Sequence, residues 1–194
     1  MKYLLFALIF IIFSSIGFSF FNKDKINLDG YSEDIYDYSI NLISGNTIDL
    51  KSYEGKKIIL VNVASKCGYT PQYDGLQKLY EKYNEELEVV GVPANDFLWQ
   101  EPGKNKDIQT FCKVNYGVTF PIVEKSIVKK TKGQHPLFTW LTHKDLNGWN
   151  DTAPGWNFYK YLIDENGSLI SVLPSKVKPF DEEIINFIEN NETD

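Results

Sequence analysis

Short apolar runs separated by polar turns follow one another along the chain from about residue 37 onward. Residues 58–63 (IILVNV) form a mainly aliphatic and β-branched run, and residues 87–92 (LEVVGV) form a second one. Predominantly apolar runs of this length are typical of strands that are buried on both faces of a sheet. Between the two runs an apolar face recurs at helical spacing, at Leu76, Leu79, Tyr80 and Tyr83. The order strand, helix, strand predicts a parallel pair of strands joined by a helix.

The remaining pattern adds hairpins and helices around this unit. Residues 39–43 and 47–50 flank a Ser-Gly-Asn turn, and residues 158–164 and 169–173 flank Glu-Asn-Gly, which predicts a type I′ hairpin. Apolar periodicity predicts helices over residues 106–115, 136–142 and 181–190, and residues 120–123 resemble a short strand. The sequence therefore predicts an α/β, thioredoxin-like fold: a central mixed sheet flanked by helices, with an N-terminal β-hairpin.

The first residues differ in character from the rest. Lys2 precedes an apolar run over residues 3–13, and small residues follow at Ser14, Ser15 and Gly17. This order is typical of a secretory signal peptide and predicts export, with residues 1–19 removed. The alternative is a membrane anchor formed by residues 3–21, because apolar character continues that far. Residues 20–36 are polar and acidic and resemble a linker, which leaves residues 37–194 as one domain.

Composition narrows the function classes. The formal net charge is −6, which argues against nucleic acid as the main partner. All of the basic residues are lysines. With two histidines and two cysteines we expect no structural metal site, and nothing in the sequence indicates a cofactor. Two cysteines allow a single internal disulfide in an exported protein.

Cys67 occupies the position where this topology favours chemistry. It follows the buried run 58–63 and precedes a helix that we expect to open at Pro71 with Thr70 as its N-cap. Ligands of open α/β sheets bind at this end of the strands, and a helix N-terminus beside Lys66 favours a thiolate. The alternative is a buried, inert cysteine. Because residue 70 is not a cysteine, the segment lacks the CxxC pair of a dithiol oxidoreductase.

Three segments resemble segments of the glutathione peroxidase family. They occur in the same order as in that family, and the resemblance extends over nearly the whole mature chain. They are residues 62–70 (NVASKCGYT), 93–103 (PANDFLWQEPG) and 155–162 (GWNFYKYL). The resemblance implies a thiol peroxidase with an antioxidant role in the response to oxidative stress. It would reduce hydrogen peroxide and organic or lipid hydroperoxides through a sulfenic acid on Cys67. It also implies three further active-site residues: Gln100, Trp156 and Asn157.

The chemistry of these residue types agrees with the implied roles. Cleavage of a peroxide moves negative charge from sulfur to the departing oxygen, and neutral N–H donors stabilise both. Taken singly, Trp156 would be a core aromatic and Gln100 a solvated loop residue. The same segment contains Asn95, which we expect to hold its loop, and Asp96, where the family usually has glutamine.

Cys112 has two interpretations. The resemblance implies a resolving cysteine on the helix after the second segment. Measured from Phe120, however, it stands one residue earlier than in the plant-like pattern, and one residue turns a side chain by about 100°. It also shares a helix face with Ile108 and Phe111, which is typical of a packed core cysteine.

Two features of glutathione-dependent family members that this chain lacks indicate which reductant it uses. The tetrameric, glutathione-dependent members gather arginine around the site and carry an extra loop between the second and third segments. This chain has no arginine and a short connection between Gly103 and Gly155. The resemblance is therefore to compact, monomeric members with a thioredoxin-like donor, with glutathione as the other possible reductant. The alternatives are a peroxide sensor that relays oxidation to client proteins and a non-enzymatic thioredoxin-fold binding module.

Overall fold

The computed structural model describes residues 28 and 30–190. The chain from Tyr31 onward forms one compact unit. The predicted signal peptide or anchor and residues 20–27 of the predicted linker lie outside the described residues. Across the part of the chain that the structure describes, no helix combines the length and apolarity needed to cross a bilayer.

Six strands and five α-helices make up the described unit. The strands are β1 (Ser39–Asn41), β2 (Thr47–Asp49), β3 (Lys57–Val63), β4 (Leu87–Pro93), β5 (Lys160–Ile163) and β6 (Leu169–Leu173). The helices are α1 (Gln72–Lys82), α2 (Asn105–Tyr116), α3 (Pro136–Thr142), α4 (Lys144–Asn147) and α5 (Glu182–Glu189). The two apolar runs, the first hairpin and the four predicted helices are therefore confirmed, with ends that differ by a few residues.

The central sheet is mixed, in the order β4-β3-β5-β6. β3 pairs in parallel with β4, and β5 pairs antiparallel with both β3 and β6. Every residue of β3, β4 and β5 is buried. β1 and β2 form a separate antiparallel hairpin. This is the predicted α/β arrangement.

Helices cover both faces of the sheet. On one face Ile59, Val61 and Val63 of β3 belong to a buried cluster with side chains of α1, α2 and α5. On the other face Tyr161 of β5 meets Phe138 of α3 edge to face, with ring centroids 5.7 Å apart. Burial on both faces explains why β3 lacks the alternation of a half-exposed strand.

Two local predictions were wrong. Residues 120–123 make only single bridges, Gly91 with Ile122 and Leu42 with Val123, rather than a strand. The turn between β5 and β6 has positive φ at Gly167 alone, whereas a type I′ turn needs it at both central residues. Instead the Asp164 carboxylate accepts hydrogen bonds from the N–H groups of Asn166 and Ser168, which fixes a longer loop.

The end of the predicted linker packs on the domain where the structure describes it. Ile35 lies in a short 3-10 helix, Ile35–Asp37, and is fully buried. The indole of Trp140 donates to the carbonyl of Glu33, 2.8 Å away. The last residues of the predicted linker, from about residue 33, therefore pack on the domain, and Ile35 belongs to its core.

Candidate active site

The loop that carries Cys67 leaves the C-terminal end of β3. Cys67 is 7% exposed. Its N–H donates to Thr70 Oγ1 at 2.9 Å, and this hydroxyl donates to the carbonyl of Ala64. The N–H of Tyr69 points to Cys67 Sγ at 3.5 Å. Thr70 therefore closes the cysteine loop on itself and does not cap the helix; that prediction was wrong, and α1 begins at Gln72.

The loop after β4 lies against the cysteine loop. The N–H of Lys66 donates to the carbonyl of Gln100 at 3.0 Å. Ser65 donates to the buried Glu101 carboxylate twice, from its N–H and from its hydroxyl. Glu101 N–H in turn donates to Asn95 Oδ1 at 2.9 Å, which confirms that Asn95 holds this loop. Gln100 is thereby fixed beside the residue that precedes Cys67.

Asn62, fully buried at the end of β3, fixes the third segment. Its Nδ2 donates to the carbonyl of Trp156, and its Oδ1 accepts from the N–H of Tyr159, both at 3.0 Å. Phe158 between them has φ of 68°, a left-handed conformation that is unusual for a bulky residue. Such conformations persist only where surrounding contacts determine them, as here. The strand that leads to Cys67 therefore also positions Trp156 and Asn157.

Two of the predicted residues bond to each other. Asn157 Nδ2 donates to Gln100 Oε1 at 3.1 Å. Because this bond uses the Gln100 oxygen, the amide N–H groups of Gln100 are left for a ligand. Asn157 is fully buried, and its Oδ1 has no hydrogen-bond partner among the described residues. The amide pair joins the second and third segments.

Trp156 joins the site through apolar contacts. Its ring lies 5.7 Å from that of Phe97, and it packs against the buried cluster that contains Cys67. Lys129 Nζ, from the connection between α2 and α3, lies 4.6 Å from the Phe97 ring centroid. Three sequence segments thus meet at the C-terminal ends of β3 and β4, as the topology predicts.

Comparison with known proteins agrees with this geometry. The sequence model of the family described as glutathione peroxidase matches residues 35–142. A glutathione peroxidase of Lactococcus lactis subsp. cremoris is 44% identical over 145 residues, covering 74% of this chain and 91% of that protein. The chain belongs to the glutathione peroxidase family. It is a peroxidase, an oxidoreductase.

Other relatives are similar over comparable lengths. A hydroperoxy fatty acid reductase of Synechocystis sp. is 42% identical over 153 residues, 75% of this chain and 89% of that one. The crystal structure of Trgpx in its apo form superposes with a TM-score of 0.60 at 32% identity, covering 81% of this chain and 96% of the other. These matches confirm the predicted family and fold.

Cys112 does not share the loop of Cys67. It lies on α2, is 2% exposed, and belongs to the same buried cluster as Cys67. Both thiols are free. Burial raises the pKa of the Cys112 thiol to about 11, although the nearby Tyr73 hydroxyl partly opposes the shift. In this conformation Cys112 is a packed core residue, which is the second of the two interpretations of the sequence.

The sequence did not indicate the contacts of two residues that hold the loops of this candidate site. Burial raises the pKa of the Glu101 carboxyl, and the two bonds from Ser65 partly oppose that shift. Asp96, the departure from the family pattern, accepts hydrogen bonds from the N–H groups of Val128 and Lys129. Their position inside a recognised segment was a signal, but their partners are remote in sequence.

Proposed function

We propose that Cys67 is the peroxidatic residue of this peroxidase. Its thiolate attacks one oxygen of the hydroperoxide, the S–O bond forms as the O–O bond breaks, and the departing alkoxide or hydroxide takes up a proton. Cys67 is oxidised to a sulfenic acid, and the hydroperoxide is reduced to an alcohol or water. The observation that carries the proposal is the Asn157–Gln100 hydrogen bond, which joins two neutral amides, together with the bond from Lys66, the residue before Cys67, to the carbonyl of Gln100.

The surroundings of Cys67 suit this step. The turn that precedes α1 directs the N–H of Tyr69 at Sγ, and the N-terminus of α1 that follows favours negative charge nearby. The amide of Gln100 and the indole of Trp156 supply neutral donors for the charge that develops on oxygen. Family membership, with its peroxidase activity, argues against a non-enzymatic binding module.

The test is the Cys67→Ser variant. We expect it to lose peroxide turnover while its circular dichroism and thermal unfolding stay close to wild type. Cys112→Ser is the matched control, since it changes the other buried thiol, and it should still reduce one equivalent of peroxide. Turnover by Cys67→Ser above a few per cent of the wild-type rate would exclude the peroxidatic role.

For the reductive half of the cycle we propose that Cys112 resolves the sulfenic acid. Its thiol would attack Cys67 sulfur, release water and form a disulfide, which a thioredoxin-like dithiol then reduces to two thiols. The absence of arginine supports this donor over glutathione. One equivalent of peroxide should lower the protein mass by two hydrogens and yield a linked Cys67–Cys112 peptide. Full thioredoxin-dependent turnover by Cys112→Ser would exclude the resolving role.

A groove lined from Gly68, the residue after Cys67, supports a substrate range that includes organic and lipid hydroperoxides. It has a volume of about 450 Å³, and its lining includes Gly68, Tyr69, Pro71, Lys176, Lys178 and Phe180. The name of the Synechocystis relative gives hydroperoxy fatty acids as that protein's substrate. Turnover with a fatty acid hydroperoxide and with hydrogen peroxide, measured side by side with thioredoxin and with glutathione, tests substrate and donor together.

The apolar N-terminal segment supports a location outside the cytosol. We propose export with removal of residues 1–19, and retention by residues 3–21 as the membrane-anchored alternative. N-terminal sequencing of the protein from its native host distinguishes the two. A chain that starts at Met1 in a soluble fraction would contradict both.

A further inference from the structure

Lys160 is a buried lysine close to the candidate active site, and the proposed peroxidase step does not use it. Lys160 of β5 is fully buried. Its Nζ donates to Gln72 Oε1 at 2.6 Å, to the carbonyl of Phe158 at 2.9 Å and to the carbonyl of Val177 at 2.5 Å. A buried lysine needs such compensation, because transferring an unpaired ammonium from water into a protein interior is costly.

The three acceptors belong to three separate parts of the chain. Gln72 is the first residue of α1, which starts just after the Cys67 loop. Phe158 follows Trp156 and Asn157, and Val177 lies in the connection between β6 and α5. One ammonium group therefore ties the helix behind Cys67 to the segment that carries two of its predicted partners.

The same bonds continue to the amide pair of the site. Gln72 Nε2 donates to the carbonyl of Ser175 at 2.7 Å, and Ser175 Oγ donates to the carbonyl of Asn157 at 2.6 Å. Asn157 then donates to Gln100, whose carbonyl accepts from Lys66 beside Cys67. On the other side, the N–H of Gln72 donates to the carbonyl of Tyr69. The network starting at Lys160 thus reaches both sides of the Cys67 loop.

The acceptor set favours the charged form of Lys160. Three oxygens surround Nζ, and an ammonium supplies three N–H donors where a neutral amine supplies two. The acidic residue that acts on it is Asp181, which precedes α5 and raises the pKa, while burial has the larger effect and lowers the pKa to about 7. The groups that touch Nζ from β5, α1 and the β6–α5 connection are uncharged.

We propose that Lys160 is a positioning residue for the peroxidase reaction, whose ammonium fixes the start of α1 against the Asn157 segment and so sets the reactivity of Cys67. This inference rests on the proposed peroxidatic role of Cys67. Lys160 touches neither sulfur nor peroxide in this scheme. It acts by holding the groups that do.

The chain offers a matched control for Lys160→Met. Lys57, at the opposite end of the sheet, is 6% exposed and also donates to backbone carbonyls, those of Ile188 and Asn190. Lys57→Met therefore removes a comparable buried ammonium far along β3 from Cys67. Both variants are expected to lower the midpoint of thermal unfolding, so stability alone does not distinguish a positioning role from a structural one.

The deciding measurements use the whole chain: the stopped-flow rate of Cys67 oxidation by hydrogen peroxide, and the alkylation rate of Cys67 between pH 5 and 9. We expect Lys160→Met to slow oxidation about 10- to 100-fold, less than or comparable to loss of a direct donor, and to displace the alkylation profile to higher pH. Lys57→Met should leave both at wild-type values. Wild-type rate and profile in Lys160→Met, or equal losses in both variants, would overturn the inference.

Ser175→Ala keeps the inference testable if Lys160→Met does not fold. It removes only the hydroxyl that bonds the Asn157 carbonyl, and we expect slower oxidation in the same direction. An unchanged rate in Ser175→Ala would then overturn the inference. If peroxide does not oxidise Cys67 in the wild-type chain, the proposed function fails and the inference fails with it. Wild-type oxidation with an unaffected Lys160→Met removes the inference alone.

Discussion

In a Cys67→Ser variant, Cys112 is the one thiol left in the chain, and we predict that it reacts slowly with iodoacetamide. Cys112 is 2% exposed, and burial raises the pKa of its thiol to about 11. An unfolded cysteine has a pKa of about 8.5. At pH 7.5 the thiolate fraction therefore falls from about one in ten in the unfolded chain to about one in three thousand in the folded one.

Two further effects change this ratio in opposite directions. A thiolate of higher pKa is intrinsically more nucleophilic. With a Brønsted coefficient of about 0.45, this raises the reaction rate of the folded thiolate roughly tenfold and offsets part of the lower thiolate fraction. Ionisation and nucleophilicity together leave the folded thiol about thirtyfold slower. Burial adds to the difference, because the reagent reaches sulfur only when α2 opens locally.

The assay is pulsed alkylation at pH 7.5, in native buffer and in urea, read as intact mass. The Cys112→Ser variant is the matched control; its remaining thiol, Cys67, should react faster in native buffer than Cys112 does in the first variant. Alkylation of Cys112 in the folded chain within about threefold of the unfolded rate would refute the reasoning, since neither burial nor the raised pKa allows it.

Three further predictions concern the donors, a buried carboxyl and the assembly state. Trp156→Phe and Gln100→Ala should each slow Cys67 oxidation, by up to about 10²–10³-fold, and stopped-flow rates equal to wild type would remove both residues from the site. Burial raises the pKa of Glu88 to about 7, so its carboxyl contributes stability below about pH 4.3 that is lost as pH rises through 7. The free energy of unfolding of Glu88→Gln, measured in urea, should therefore exceed that of wild type by about 2 kcal/mol at pH 8 and equal it at pH 4. An equal gain in stability at both pH values would contradict this. We also expect a monomer, and a dimer mass by light scattering at micromolar concentration would exclude one.

The fold was predictable where one interaction dominates the choice of each residue. β3 and β4 are buried on both faces, so most of their residues are apolar, with Lys57, Asn62 and Glu88 as the exceptions, and the runs were visible in the sequence. The left-handed Gly117 that ends α2 was predictable for a similar reason, because few other residues accept φ of 62°. Residues 120–123 show the limit, since an apolar run alone does not determine whether a second strand pairs with it.

The site was predictable only in part. The order of strand, cysteine and helix along the chain pointed to Cys67. The resemblance to the glutathione peroxidase family indicated Gln100, Trp156 and Asn157. The bonds that hold them join residues far apart in sequence, such as Ser65 with Glu101. A lysine in a strand also gives no sign that it is buried; Lys160 became visible only once its three oxygen partners were in place.

The proposed cycle requires α2 to open locally so that Cys112 can reach Cys67, and the loose packing of α2 is consistent with this. A disulfide needs Cα atoms within about 7 Å, and Cys112 lies on a different element from Cys67. α2 fully buries Ile108 and Cys112 and partly buries Phe111 and Tyr116, whereas α1 fully buries Tyr73, Leu76, Gln77 and Leu79. At about 1.5–3 kcal/mol for each fully buried apolar side chain, the two fully buried residues of α2 contribute about 3–6 kcal/mol to the cost of opening it, compared with roughly 5–15 kcal/mol for global unfolding. A groove of about 210 Å³ also adjoins Cys112, so its helix is incompletely covered on that side. The helix that must move is therefore held less firmly than the helix that must keep Cys67 in place.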